Sequence, residues 1–137
     1  MANVRITGLE RVMQVFDIYR NEKPKQIKRQ TKISGQNIAA KAKRNAPLDT
    51  GDLKRSIISV ETNGGYGNEI TANMDYAPFV EFGTGSQVDV PDGFADLAIQ
   101  FKGKGIKKIN RKAQPFLIPA FLEEVPKFKN EIEKIMQ

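Results

Sequence analysis

Two short segments fix where this chain must turn and so limit the folds open to it. They are Ala46-Pro47-Leu48-Asp49-Thr50-Gly51-Asp52-Leu53-Lys54-Arg55-Ser56-Ile57 and Tyr76-Ala77-Pro78-Phe79-Val80-Glu81-Phe82-Gly83-Thr84-Gly85. Pro47 disfavours helical geometry at Ala46, so a helix arriving from the N-terminal side ends near Asn45. Asp49 and Thr50 before Gly51 suit a turn or a helix N-cap, and Asp52 to Arg55 then form a helical turn feeding a strand at Ile57, with Leu53 anchored in the core. In the second segment Pro78 suits the first turn of a short helix, which Gly83 and Gly85 end.

Between the corners the sequence reads as a hairpin. Ser56 to Thr62 is rich in β-branched residues, Asn68 to Met74 answers it, and Asn63-Gly64-Gly65-Tyr66-Gly67 supplies the turn. Alternation predicts that Ile58, Val60 and Thr62 face the core with Ile70, Ala72 and Met74.

Upstream, apolar residues from Leu9 to Tyr19 recur at helical spacing, with Thr7 as N-cap and Glu10 completing a capping box. Pro24 is expected to stop or kink this helix near Asn21 to Lys23 before a second run continues to Asn45. Gly35 within that run weakens the helix and marks close packing against another backbone. Downstream, a helix is expected from Pro115, with Phe116, Leu117, Ala120, Phe121, Val125, Phe128, Ile132 and Ile135 as its apolar side and a bend at Pro126. The expected class is α+β: a small twisted antiparallel sheet packed against a long kinked N-terminal helix and a C-terminal helix. The 137 residues are read as one domain, 1–137, with a variable basic loop at 86–112 in which Phe94, Leu97, Ile99 and Phe101 suggest a short hairpin or strand.

The composition narrows the chemistry. With no histidine and no cysteine, the usual general base, the commonest metal ligand and any thiolate site are missing. Asp49 and Asp52 could form a carboxylate pair, but a divalent site needs several converging oxygens, and Glu81 is the only other motif carboxylate. Gly83-Thr84-Gly85 and Gly103-Lys104-Gly105 lack the spacing of a phosphate-binding loop. No catalytic, cofactor or metal site is expected. No apolar run approaches the roughly 20 residues that span a bilayer, and the N-terminus lacks the apolar core of a signal peptide.

The net charge of +6 is uneven, with bases gathered from Arg20 to Arg44 and from Lys102 to Lys112. Lys25, Lys28, Arg29, Lys32, Lys102, Lys104, Lys107 and Lys108 are the residues expected to meet DNA or an acidic protein partner, unless they merely solvate a helix face and a loop.

With Ala113-Gln114-Pro115-Phe116-Leu117-Ile118-Pro119-Ala120 added, the ordered motifs APxDTGxLxxSI, YAPxVEFGT and AQPFLxPA resemble the head-tail connector (neck) and tail-completion proteins of tailed bacteriophages. The positions carrying the resemblance are Pro47, Asp49, Thr50, Gly51, Leu53 and Ser56, then Tyr76, Ala77, Val80, Glu81, Phe82, Gly83 and Thr84, then Pro115, Phe116, Leu117, Pro119 and Ala120, with Pro78 in the second corner. The resemblance implies a structural virion protein at the head-tail junction, assembled in the host cytoplasm. It implies a ring, hexameric in the virion, touching copies of itself, neighbouring head-closure and tail proteins, and DNA passing through. The main alternative from the residues is a small basic DNA-binding protein; a nuclease is the other rival.

Overall fold

The computed structural model of the protein describes residues 9–48, 51–84, 88–96 and 112–137. Its elements are helix α1 (Leu9–Asn45), helix α2 (Asp52–Ser56), strand β1 (Ile57–Thr62), strand β2 (Gly67–Ala72), helix α3 (Ala77–Phe82) and helix α4 (Leu117–Met136). A 3-10 turn at Asn63–Gly65 joins the strands, with Asn63 and both glycines at positive φ. The class is α+β as expected: a two-stranded antiparallel sheet between a long N-terminal helix and a C-terminal helix.

The expected stop at Pro24 is overturned. α1 runs unbroken through it for 37 residues, about 55 Å at 1.5 Å per residue. Proline removes one backbone donor there, a loss that flanking turns and tertiary packing override. The helix does end at Asn45, ahead of Pro47. Thr7 and the Glu10 side chain lie outside the described residues.

α4 lies antiparallel along α1, as four contacts show. Asn45 Nδ2 donates to the Phe116 carbonyl at 3.3 Å, and Asn37 Nδ2 to Glu124 Oε1 at 3.2 Å. At the far end Lys23 Nζ donates to the Ile135 carbonyl and Tyr19 Oη to that of Met136 at 3.4 Å. Lys23 thereby satisfies the carbonyls left open where α4 ends. α4 begins at Leu117 rather than Pro115, and it passes Pro126 without interruption.

β1 presents the opposite face to the one expected, whereas Ile70 and Ala72 of β2, with Met74 beyond it, pack against the core as expected. Pairing is Ile57 with Ala72, Ser59 with Ile70 and Glu61 with Asn68. Ile57 is fully buried, while Ile58 and Val60 are half exposed. The reason lies in α1. A Cβ on Gly35 would stand 2.5 Å from Asn68 Nδ2 and 2.8 Å from Ser59 Oγ, so the helix backbone rests on the polar pair. Ser59 Oγ donates to Asn68 Oδ1 at 3.2 Å, and Asn68 Nδ2 donates to the Thr31 carbonyl at 3.0 Å. A half-buried polar pair satisfied in this way is tolerated, and it pins the helix to one register on the sheet.

Gly35→Ala should therefore destabilise the protein by about 1–2 kcal/mol even though alanine favours the helix by about 1 kcal/mol. The added methyl must push Asn68 off Thr31. A urea midpoint equal to or above wild type would show that the approach is not tight.

The core gathers Ile38, Ala39, Ala42 and Ala46 of α1, Leu53 of α2, Ile57 of β1, Ala77 and Val80 of α3, and Phe116 and Ala120 at the start of α4. Alanines on both long helices let their backbones approach, and the larger side chains fill the space beneath the corners.

Candidate functional site

α3 is a one-and-a-half-turn helix, and three of its last four carbonyls are taken by flanking chain. Pro78 occupies its first turn, and Gly83, at φ 79°, ends it. The Gly83 amide donates to the Phe79 carbonyl at 3.0 Å, that of Gln114 to Val80 at 2.8 Å and that of Asp89 to Phe82 at 2.8 Å. So short a helix would not persist alone; these bonds to flanking chain hold it in place.

Held in this way, Glu81 points its carboxylate at the start of α4. Oε2 accepts from the amides of Phe116 at 2.9 Å and Leu117 at 3.0 Å, and Oε1 accepts from that of Ile118 at 2.9 Å. The first amides of a helix have no intrahelical acceptor, and the helix dipole favours a negative charge there. Glu81 is only 6% exposed, so it serves as a buried, remote N-cap for α4. The position that would ordinarily cap α4 is Phe116, which has no side-chain acceptor.

The three motifs thus converge on one joint. Asn45 and Ala46 precede Pro47; Leu53, Ala77, Val80 and Phe116 share the core, and Glu81 ties the second motif to the third. Phe82 and Gly83 are buried beside it, whereas Tyr76 and Pro119 are exposed. The carbonyl of Tyr76 accepts from the amides of Phe79 at 3.1 Å and Val80 at 3.2 Å. Pro115 precedes α4, and Pro119 sits in its first turn, where a missing N–H costs no intrahelical bond. Gly51, at φ 81°, occupies the N-cap position of α2, and Asp49 and Thr50 lie outside the described residues.

The joint has the chemistry of a fastener. A general acid or a metal ligand needs a carboxylate oxygen open to substrate or ion, whereas both Glu81 oxygens already face backbone donors. Asp52 pairs with Arg55 on the surface.

Most of the α1 bases proposed as partner contacts have work within the chain. Lys28 lies over the Tyr66 ring at 4.9 Å, Lys32 stands 3.8 Å from Glu61, and Lys25 stands 3.7 Å from Glu22. Arg29 is exposed. Lys102, Lys104, Lys107 and Lys108 lie outside the described residues, as does most of the expected Phe94 to Phe101 hairpin. Phe94 itself follows a turn closed by its amide on the Pro91 carbonyl at 3.2 Å.

A second link between the long helices escaped the sequence reading. Lys41 Nζ of α1 stands 2.9 Å from Glu123 Oε1 and 3.7 Å from the buried Glu124 Oε2. Glu123 beside it raises the Lys41 ammonium above its ordinary pKa, and Lys41 in turn holds the Glu123 carboxyl below its ordinary value. The Glu123 contribution to stability is present above the carboxyl's unfolded pKa and is lost as pH falls through the depressed folded value. That of Lys41 is present below its unfolded pKa and is lost as pH rises through the raised folded value. The melting-temperature gap between wild type and Glu123→Gln should therefore stay level from about pH 5 to pH 10 and close in acid. A gap that widens in acid would contradict this pairing.

A family model described as "Bacteriophage HK97-gp10, putative tail-component" matches residues 15–83. The chain belongs to this family. It is a structural tail component of a bacteriophage, and the family is not one of known enzymes. The match takes in α1 from Val15 onward, the first motif, the hairpin and the second motif as far as Gly83, two residues past Glu81. The third motif, outside the match, is the one that Glu81 fastens to it. No curated protein and no solved structure matches the chain. Among the described residues no helix is long and apolar enough to cross a membrane.

Proposed function

We propose that this tail component works at the head-tail junction, where copies form a ring that joins the head-closure proteins to the tail or completes the tail's upper end. The observation that carries the reading is the Glu81 joint. It spends the most conspicuous motif carboxylate on locking α4 to α3, while Asn45 ties the same point to α1, which makes a rigid block in a chain of the tail-component family. The whole chain, 1–137, acts as one such block. The motif residues hold its shape, and the outer surfaces and the 86–112 segment meet neighbours. Subunits in a ring contact one another through two different surfaces, and closure under rotation limits the assembly. Six copies is the count the family resemblance favours.

A DNA-facing role for the ring's inner wall draws on one feature. From Lys23 to Asn45, α1 carries eight bases and no acid. Pairing of Lys25, Lys28 and Lys32 within the chain leaves Arg29 and the bases of 102–108 for such contacts.

Electron microscopy of the protein mixed with purified tail tubes and with portal complexes tests the proposal. Density for the protein at the end of the tube or on the portal is the expected result. Failure to bind either, together with tight DNA binding that falls steeply with salt, would replace it with the DNA-binding alternative.

A further inference from the structure

One side of α1 is left bare by both of its packing partners, the sheet and α4. Arg29, Ile33, Ala40 and Arg44 recur there as i, i+4, i+11 and i+15, a row about 22 Å long that lies about 120–180° round the helix from Gly35, which meets the sheet. All four are exposed, so the row has an apolar middle and a guanidinium at each end. The hairpin carries the opposite charge on the side turned away from α1. Ile58 and Val60 of β1 are half exposed there, Glu69 of β2 stands directly across from Val60, and the exposed Asp75 lies beyond the end of β2. Glu69 and Asp75 are six residues apart, about 20 Å along an extended chain, with Ile58 between their levels. None of these four charges stands within 4 Å of an opposite charge among the described residues. The whole chain is divided in the same sense: α1 from Lys23 to Asn45 has eight bases and no acid, whereas Ile57 to Asp96 has seven acids and no Lys or Arg.

We infer that the Arg29–Arg44 row of one subunit lies along the outer hairpin face of the next copy, with Arg29 and Arg44 meeting Glu69 and Asp75 and Ile33 and Ala40 meeting Ile58 and Val60. The inference rests on the ring reading above and names its contact. Charge complementarity points to a second copy, because both halves of the match are on this one chain and on opposite sides of it, in the order row, α1, sheet, outer face. The contact repeats between subunits the helix-on-sheet layering that α1 makes within one. Each patch carries a single sign, so row against row or face against face places like charges together, which disfavours a two-fold dimer and leaves the heterologous arrangement that a ring needs. Specificity therefore comes from where the charges stand rather than from apolar area. Two copies alone associate weakly and in a salt-dependent way, whereas a ring gives each subunit the contact twice. Arg29 is then spent between copies, which leaves contacts with DNA to the bases of 102–108.

Two double variants of the full chain test this by sedimentation velocity in low salt. Arg29→Glu/Arg44→Glu makes both patches acidic, and Glu69→Lys/Asp75→Lys makes both basic; thermal melts confirm that each is folded. Wild type is expected to associate as its concentration is raised, and less so as salt is added. Each double variant alone should need at least about tenfold more protein to associate. An equal mixture of the two should recover wild-type association, since each then offers the charge that the other lacks. The single reversals Arg29→Glu and Glu69→Lys repeat the comparison should either double variant fold poorly. A wild type that stays monomeric, a variant that associates as wild type does, or a mixture that does not recover would overturn the inference. Electron microscopy of the same samples on tail tubes separates it from the ring reading. A ring that either double variant still builds alone sinks this interface only, and the absence of any ring from wild type sinks the ring reading as well.

Discussion

Glu81→Ala should unfasten the C-terminal helix and cost about 3–5 kcal/mol, a large share of the 5–15 kcal/mol that holds a domain of this size folded. The substitution leaves the amides of Phe116, Leu117 and Ile118 buried or half buried without an acceptor. Hydrogen bonds to a charged group contribute about 1.5–3 kcal/mol each, and a buried donor left unpaired costs about 1–3 kcal/mol. The loss is capped because α4 can swing away and let water reach the amides. Hydrogen exchange separates that response from general destabilisation: protection at residues 116–118 should fall first and furthest, while the α1 amides near Ile38 keep theirs until global unfolding. Glu81→Gln should recover only part of the loss, since it keeps one acceptor oxygen and turns an NH2 group towards a backbone donor. Equal stability of Glu81→Gln and wild type would show that shape alone, without the carboxylate, holds the joint.

The joint was only half legible in the sequence. Pro47, Gly83 and the hairpin turn act through their own backbone angles, so local chemistry placed the end of α1, the end of α3 and the strand pairing. The Glu81 link spans 35 residues, and no local rule joins a carboxylate on one helix to the start of another. There was an indirect signal. Lys112 to Phe116 offers no Ser, Thr, Asp or Asn to cap the helix that follows, so its first amides had to find an acceptor elsewhere. The inward face of β1 was misread for a related reason, while that of β2 was read correctly. Ile58 and Val60 are more apolar than Ser59, and alternation alone sends them inward. The deciding partner was Gly35, whose bare backbone accepts the Ser59 and Asn68 pair and leaves Ile58 and Val60 outward. Pro24 misled because propensity weighs one missing bond, whereas a 37-residue helix is held by its neighbours.

That dependence on neighbours sets the second large effect. Phe116→Ala should cost about 4 kcal/mol, since Phe116 is 1% exposed and is the largest fully buried side chain in the core. It shares one core with Ala42, Ala46, Leu53, Ile57 and Val80, to which α1, α2, β1 and α3 contribute. Ala42 and Ala46 on the α1 side offer little side chain to move into the cavity, which keeps the cost within the usual range for a lost aromatic. Phe116→Leu should restore more than half of the stability, because it returns most of the volume and leaves the backbone untouched. The backbone amide that meets Glu81 and the carbonyl that meets Asn45 are present in either variant, so neither substitution removes a hydrogen-bonding group of the cap. The double variant Glu81→Ala/Phe116→Ala should lose clearly less than the sum of the two single losses, because either change alone already frees the start of α4. Strict additivity in urea titrations would mean that the cap and the ring stabilise separate parts of the protein, and the description of one shared joint would then fail.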